Sequence, residues 1–110
     1  MTEYNGIKVG DLITTYWKGY FELVRIIPRY KIDNLSFPIY EYREGAKPYR
    51  PVFVFVQKYN SDGKPHESKV ERECDARHCQ LAQNYIKKEL LKINQTCNRL
   101  IEIFNTNEIK

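Results

Sequence analysis

Aromatic and basic side chains recur together through the first half of this chain. Tyr16, Trp17, Lys18 and Tyr20 stand as one group. Arg25, Arg29, Tyr30 and Lys31 follow, and Tyr42, Arg43, Lys47, Tyr49 and Arg50 close the series. The chemistry of such a mixture is non-covalent: basic groups neutralise phosphates while flat aromatic faces stack on unpaired bases. Residues 1–59 hold 13 of the 15 aromatic residues and carry nine Lys/Arg against six Asp/Glu. An aromatic, positively charged surface therefore belongs to this half. The expected phosphate contacts are Lys18, Arg25, Arg29, Arg43, Lys47 and Arg50. The expected stacking groups are whichever of Trp17, Tyr20, Tyr42 and Tyr49 reach the surface. The competing reading places these aromatic rings in the core and treats the charges as solvated surface.

Three other chemistries are weaker in the residues. Trp17, Tyr20, Tyr40 and Tyr42 are of the type that cages a methylammonium group by cation–π attraction. Cys74, His78 and Cys79 lie close in sequence, with Cys97 and His66 farther off. A structural zinc site takes four ligands, usually in closely spaced pairs, and these spacings do not supply them. Glu67-Ser68-Lys69 matches the short E-x-K element of metal-dependent nucleases, but no well-placed upstream aspartate completes it. No H-E-x-x-H, G-x-S-x-G, G-x-G-x-x-G or phosphate-binding G-K-[ST] element is present. The expectation is a protein that is not an enzyme, with no metal and no cofactor.

The length of 110 residues suits one domain, and 42% apolar residues support a core. No apolar run approaches the roughly 20 residues of a membrane span. The first residues, Met1 to Asn5, lack the basic and apolar regions of a signal peptide. Three cysteines, an odd number, argue against a disulfide framework. Together these features predict reduced thiols, a cytoplasmic location and no membrane partner. The net charge of +4 is mild for a nucleic-acid-binding chain.

The elements that must position these residues are read from patterning. Gly10-Asp11 predicts a turn, Leu12 to Trp17 a strand, Lys18-Gly19 a second turn, and Tyr20 to Ile27 a strand ended by Pro28. Ile39 to Arg43 alternates like a strand, and Glu44 to Pro51 reads as a loop. Val52 to Tyr59 is the clearest strand, apolar on both faces at its start, which predicts that a helix covers one side. Asn60 to Gly63 marks a turn before a polar edge strand over residues 64–73. From Asp75, a candidate N-cap, the apolar positions Cys79, Ala82, Ile86, Leu90, Ile93, Cys97, Leu100 and Phe104 are spaced 3, 4, 4, 3, 4, 3, 4. From Ile86 this is a heptad seam. A helix of about 28 residues spans roughly 42 Å, longer than a small barrel. The expectation is that its front covers the sheet and its rear meets a partner or a second copy through Ile86, Leu90, Ile93, Leu100 and Phe104.

The segment from Val9 to Ile26, with Gly10-Asp11 opening one strand, Gly19 at the turn and Tyr20-Phe21 beginning the next, resembles the first hairpin of an SH3-like small barrel of the Tudor or KOW kind. The resemblance implies a barrel that binds nucleic acid, methylated peptides or protein partners. Fold alone does not choose among these. The sequence therefore predicts one mainly β, α+β domain. A five-stranded SH3-like barrel or strongly bent antiparallel sheet occupies residues 1–73, and one long amphipathic helix occupies 75–105. The leading function is a nucleic-acid-binding adaptor for DNA or RNA. The alternative is a protein-interaction module that docks a partner or forms a homodimer through the helix.

Overall fold

A computed structural model of the chain describes the backbone of residues 1–108 and the side chains of residues 1–103. The chain is α+β and mainly strands. Strands β1 (Glu3–Tyr4) and β2 (Ile7–Lys8) form a small hairpin. Its turn is Asn5-Gly6, with φ of 50° and 79°. Two central residues with positive φ match the right-handed twist of the strands they join, which is why Asn-Gly makes tight hairpins. The larger sheet contains β3 (Leu12–Thr14), β4 (Tyr20–Lys31), β5 (Lys47–Tyr59), β6 (Arg72–Asp75) and β7 (Gln80–Leu81). Its order is β6-β5-β4-β3-β7, antiparallel throughout. A single 3-10 turn, Ala76–His78, joins β6 to β7, and the helix α1 follows at Ala82–Glu108.

The connectivity dictates a bent sheet. Strands β6 and β7 are the two edges, separated in a flat sheet by about 19 Å at the usual strand spacing. The link between them is a 3-10 turn plus Cys79, which reaches about 13 Å at the normal rise per residue. The sheet must curl to bring its edges together. Strands β6 and β7 do not pair with each other, so it stays open among the described residues.

The core fills the inside of this bend. Ile13, Phe21, Leu23, Phe53 and Phe55 are almost wholly buried. Phe21 meets Phe55 edge to face at 5.1 Å, and Tyr4 of the small hairpin meets Phe53 at 6.3 Å. Alternation explains the choice: Phe21 and Leu23 share one face of β4, as Phe53 and Phe55 share one face of β5.

Several sequence expectations change. Strand β4 does not stop at Pro28 but runs on to Lys31, because the register shifts between Ile27 and Arg29 and leaves Pro28 in the irregularity, where no ladder donor is needed. Residues 47–51 are not a loop; β5 begins at Lys47. Pro48 is tolerated opposite Tyr30 because the Tyr30 N–H and C=O bond to Ile39 instead, at 2.7 and 2.8 Å. Of the expected strand at Ile39–Arg43, only Ile39 pairs. The polar edge strand shrinks to Arg72–Asp75 and a bridge at Pro65.

The helix differs most. Asp75 does act as an N-cap, accepting from the Arg77 N–H at 2.9 Å, but it caps the 3-10 turn. Residues 80–81 then pair with β3, Leu81 opposite Ile13 and Gln80 opposite Thr14, and α1 begins only at Ala82. A tertiary strand partner overrides the local helical spacing there. Nor does the helix cover the sheet. Ala82 is its only buried residue among those described, and from Gln83 to Ile103 every residue but Glu89 is exposed.

Candidate functional site

The aromatic and basic residues divide between the two ends of the long β4–β5 hairpin. Tyr20 and Arg29 are nine positions apart on β4, about 30 Å at a strand's rise. They do not form one surface.

At the near end, Tyr16, Trp17, Lys18 and Tyr20 line a cleft of about 250 Å³ with Thr14, Ser61 and Tyr85. Trp17 is half-buried and packs on the core. Its ring lies 4.3 Å from Tyr16 and 5.8 Å from Phe55, and the Arg72 guanidinium sits 5.3 Å from it. These contacts cover part of the ring, and the rest lines the cleft. Lys18 is exposed and Tyr20 half-buried.

Midway along β4, Arg25 is held by Glu71 in a two-pronged pair at 2.7 and 2.8 Å. The Glu71 hydrogen bonds and charge raise the Arg25 pKa, and Arg25 in turn lowers that of Glu71. This charge is largely answered within the protein.

The far end gathers the rest. The Tyr49 ring has three cations about it: Arg50 at 4.6 Å, Arg29 at 5.2 Å and Lys31 at 5.7 Å. The Arg50 Nη2 donates to the Tyr49 hydroxyl at 2.7 Å. Arg29 donates through Nη2 to Asp75 at 2.7 Å and through Nε to the Arg50 carbonyl at 2.8 Å, while the Arg50 Nε donates to Asp75 at 3.0 Å. Burial alone would raise the Asp75 pKa; the Arg77 N–H, Arg50 and Arg29 outweigh it and hold the carboxyl at about 2. The same carboxylate, foremost by its hydrogen bond, raises the Arg50 pKa. Arg29 and Arg50 thus share one carboxylate while Lys31 has none among the described residues, and the cluster keeps a positive excess.

Beside it runs the connection from β4 to β5, residues 32–46. Phe37, Tyr40 and Tyr42 are 61%, 55% and 66% exposed, and Tyr42 meets Tyr30 edge to face at 5.5 Å. Arg43 and Lys47 are exposed and make no ion pair among the described residues. Pattern reading named Lys31 in the basic series but not among the phosphate contacts, and it missed Phe37. Lys31 has a signal, the Arg29-x-Lys31 alternation on one strand face, hidden by treating Pro28 as a strand end. Phe37 has none, because exposure of a loop aromatic is not encoded locally.

The cage residues do not meet, since Trp17 and Tyr20 are at one end and Tyr40 and Tyr42 at the other. Of the expected metal ligands, Cys74 and Cys79 come together with Sγ atoms 3.2 Å apart. A hydrogen bond between the thiols lowers the Cys74 pKa and, with burial, raises that of Cys79. The His78 ring turns to Tyr16 at 5.3 Å and its Nε2 accepts from Arg77, and Cys97 is exposed on α1. No group of three metal-ligating side chains assembles among the described residues. Glu67 and Lys69 are exposed on the segment before β6. Among the interface residues expected on α1, Ile86, Leu90, Ile93 and Leu100 are 40–55% exposed, while the Phe104 side chain lies outside the described residues. No helix among the described residues is long and apolar enough to cross a membrane. Comparison with protein-family models, with curated proteins and with solved structures finds no match.

Proposed function

We propose that this chain is a small, non-enzymatic nucleic-acid-binding module that contacts its ligand at the far end of the β4–β5 hairpin. The observation that carries the reading is the juxtaposition there of surplus positive charge with exposed rings. Arg29, Lys31 and Arg50 surround Tyr49 against one carboxylate, and Phe37, Tyr40 and Tyr42 stand in the adjoining connection. Arg43 and Lys47 supply phosphate contacts, and the exposed rings supply stacking faces. Stacking needs unpaired bases, so the reading favours single strands over duplex. The SH3-like reading of the β unit is supported by its connectivity. Strand β7 returns beside β3, the first strand of the larger sheet, and one 3-10 turn with Cys79 joins the edges β6 and β7.

The test is fluorescence anisotropy with labelled single-stranded DNA, single-stranded RNA and duplex DNA at low and near-physiological salt. The expected result is single-strand binding that persists at the higher salt and weakens at least tenfold in Arg43→Glu with Lys47→Glu. These two residues are preferred to Arg50, whose ion pair with Asp75 makes it structural as well. Equal, salt-abolished binding to all three ligands overturns the reading.

A further inference from the structure

The exposed seam of α1 supports an inference independent of the nucleic-acid reading. The first turn of α1 lies beside the β unit, with Tyr85 and Ile86 lining clefts against it; beyond that the helix projects, and the molecule extends 74 Å along its long axis against 34 and 21 Å across it. On one face of the helix Ile86, Leu90, Ile93, Leu100 and Ile101 are 40–55% exposed. Scattered apolar residues on a surface are ordinary, but an apolar stripe repeated along one face of a projecting helix is not. A helix that packs on nothing is also marginal in water, because tertiary contact supplies most helical stability. Something must cover this stripe.

We propose that the occupant is a second copy of this chain, packed antiparallel along the seam. The heptad spacing places Leu90, Ile93, Cys97 and Leu100 on one line. In the antiparallel register centred on Gln95, Leu90 faces the partner's Leu100 and Ile93 faces the partner's Cys97. Each large side chain then meets a complementary layer.

Charge selects the direction. Residues 82–94 carry Lys87, Lys88 and Lys92 against Glu89, an excess of two positive charges, while residues 95–108 carry Arg99 against Glu102 and Glu108, an excess of one negative. Lys92 already leans on Glu89 at 3.4 Å, so the positive excess resides at Lys87 and Lys88. A parallel pair sets the positive halves against each other. An antiparallel pair sets each positive half against the negative half of the other copy.

Light scattering of the full chain over a concentration series should give a mass near twice the 13.2 kDa of one chain, falling toward one chain on dilution. Leu90→Asp should give the single-chain mass throughout with Trp17 fluorescence unchanged. Direction is read from Ile93→Cys under mild oxidation followed by peptide mapping. The antiparallel pair links the new thiol at position 93 to Cys97 of the partner subunit, whereas a parallel pair links Cys97 to its own counterpart. A single-chain mass at every concentration, or a dimer linked only through Cys97 to Cys97, overturns the proposal.

Discussion

Asp75, at the end of β6, accepts a hydrogen bond from Arg29 of β4 at 2.7 Å, although β5 runs between the two strands. Arg50 of that middle strand donates to the same carboxylate at 3.0 Å. One short acidic side chain thus ties three neighbouring strands at the end of the sheet where the cations gather. Asp75 and Arg29 are 17% and 12% exposed, so the pair is shielded from water and less weakened by salt than a surface bridge.

This arrangement sets an acid dependence. The Asp75 pKa is lowered from 3.8 to about 2, so its charged form favours the folded state. The contribution is complete above about pH 4 and is lost as the pH falls toward 2, and it amounts to on the order of 2 kcal/mol. Urea unfolding across this range should show the loss in the parent protein. Asp75→Asn should lower stability at pH 7 by a similar amount and flatten that part of the profile.

Gly19 holds the β3–β4 turn at φ of 112°, and a Cβ there would lie 2.8 Å from the Tyr59 carbonyl and 2.6 Å from the Gln57 amide. The backbone oxygen cannot yield without disturbing β5. Gly19→Ala should therefore cost roughly 2–3 kcal/mol in denaturant unfolding. Gly45→Ala, with a φ of 83° but open space around it, should cost only about 1 kcal/mol. Equal effects would show that backbone conformation alone, without the close approach, sets the requirement at Gly19.

Thr14 is 7% exposed, and its hydroxyl has no hydrogen-bond partner among the described residues. A buried hydroxyl without a partner bears its desolvation cost without return. Thr14→Val keeps the shape and removes the orphan, and should raise stability by about 1 kcal/mol, or roughly 4 °C in Tm. Thermal unfolding by circular dichroism measures it, and a lowered Tm would count against the account.

The three thiols should react in a fixed order. Cys97 is exposed on α1, whereas Cys74 is buried and Cys79 half-buried, with their Sγ atoms 3.2 Å apart. At a dilution where the chain is a single copy, alkylation followed by mass spectrometry should label Cys97 first and the other two only on unfolding. Faster labelling of Cys79 would show that the edge between β6 and β7 opens.

Much of the β unit is legible residue by residue. Gly10-Asp11, Gly19 and Asn60 to Gly63 mark turns that the structure contains, and the apolar run from Val52 marks the central strand. The errors share one cause. Pro28, Pro48 and Pro51 look like strand breakers when the chain is read alone. Each is accommodated because the neighbouring strand shifts register or directs its hydrogen bonds elsewhere. Residues 80–81 continue a helical spacing, yet β3 offers an edge and takes them as a strand. The site followed the same pattern. The basic and aromatic residues were visible, but which of them meet was not, because nine positions along an extended strand separate Tyr20 from Arg29.

The sequence by itself determined composition, turn positions, the β-then-helix order and the apolar seam of α1, because these depend on side-chain type and local spacing. Only the tertiary structure decided that the β unit leaves the seam uncovered, that Trp17 packs on the core and Arg25 pairs with Glu71, and that Arg29, Lys31 and Arg50 converge around Tyr49. Those outcomes depend on strand register and on partners as many as 46 residues apart in the chain, and no local pattern encodes them.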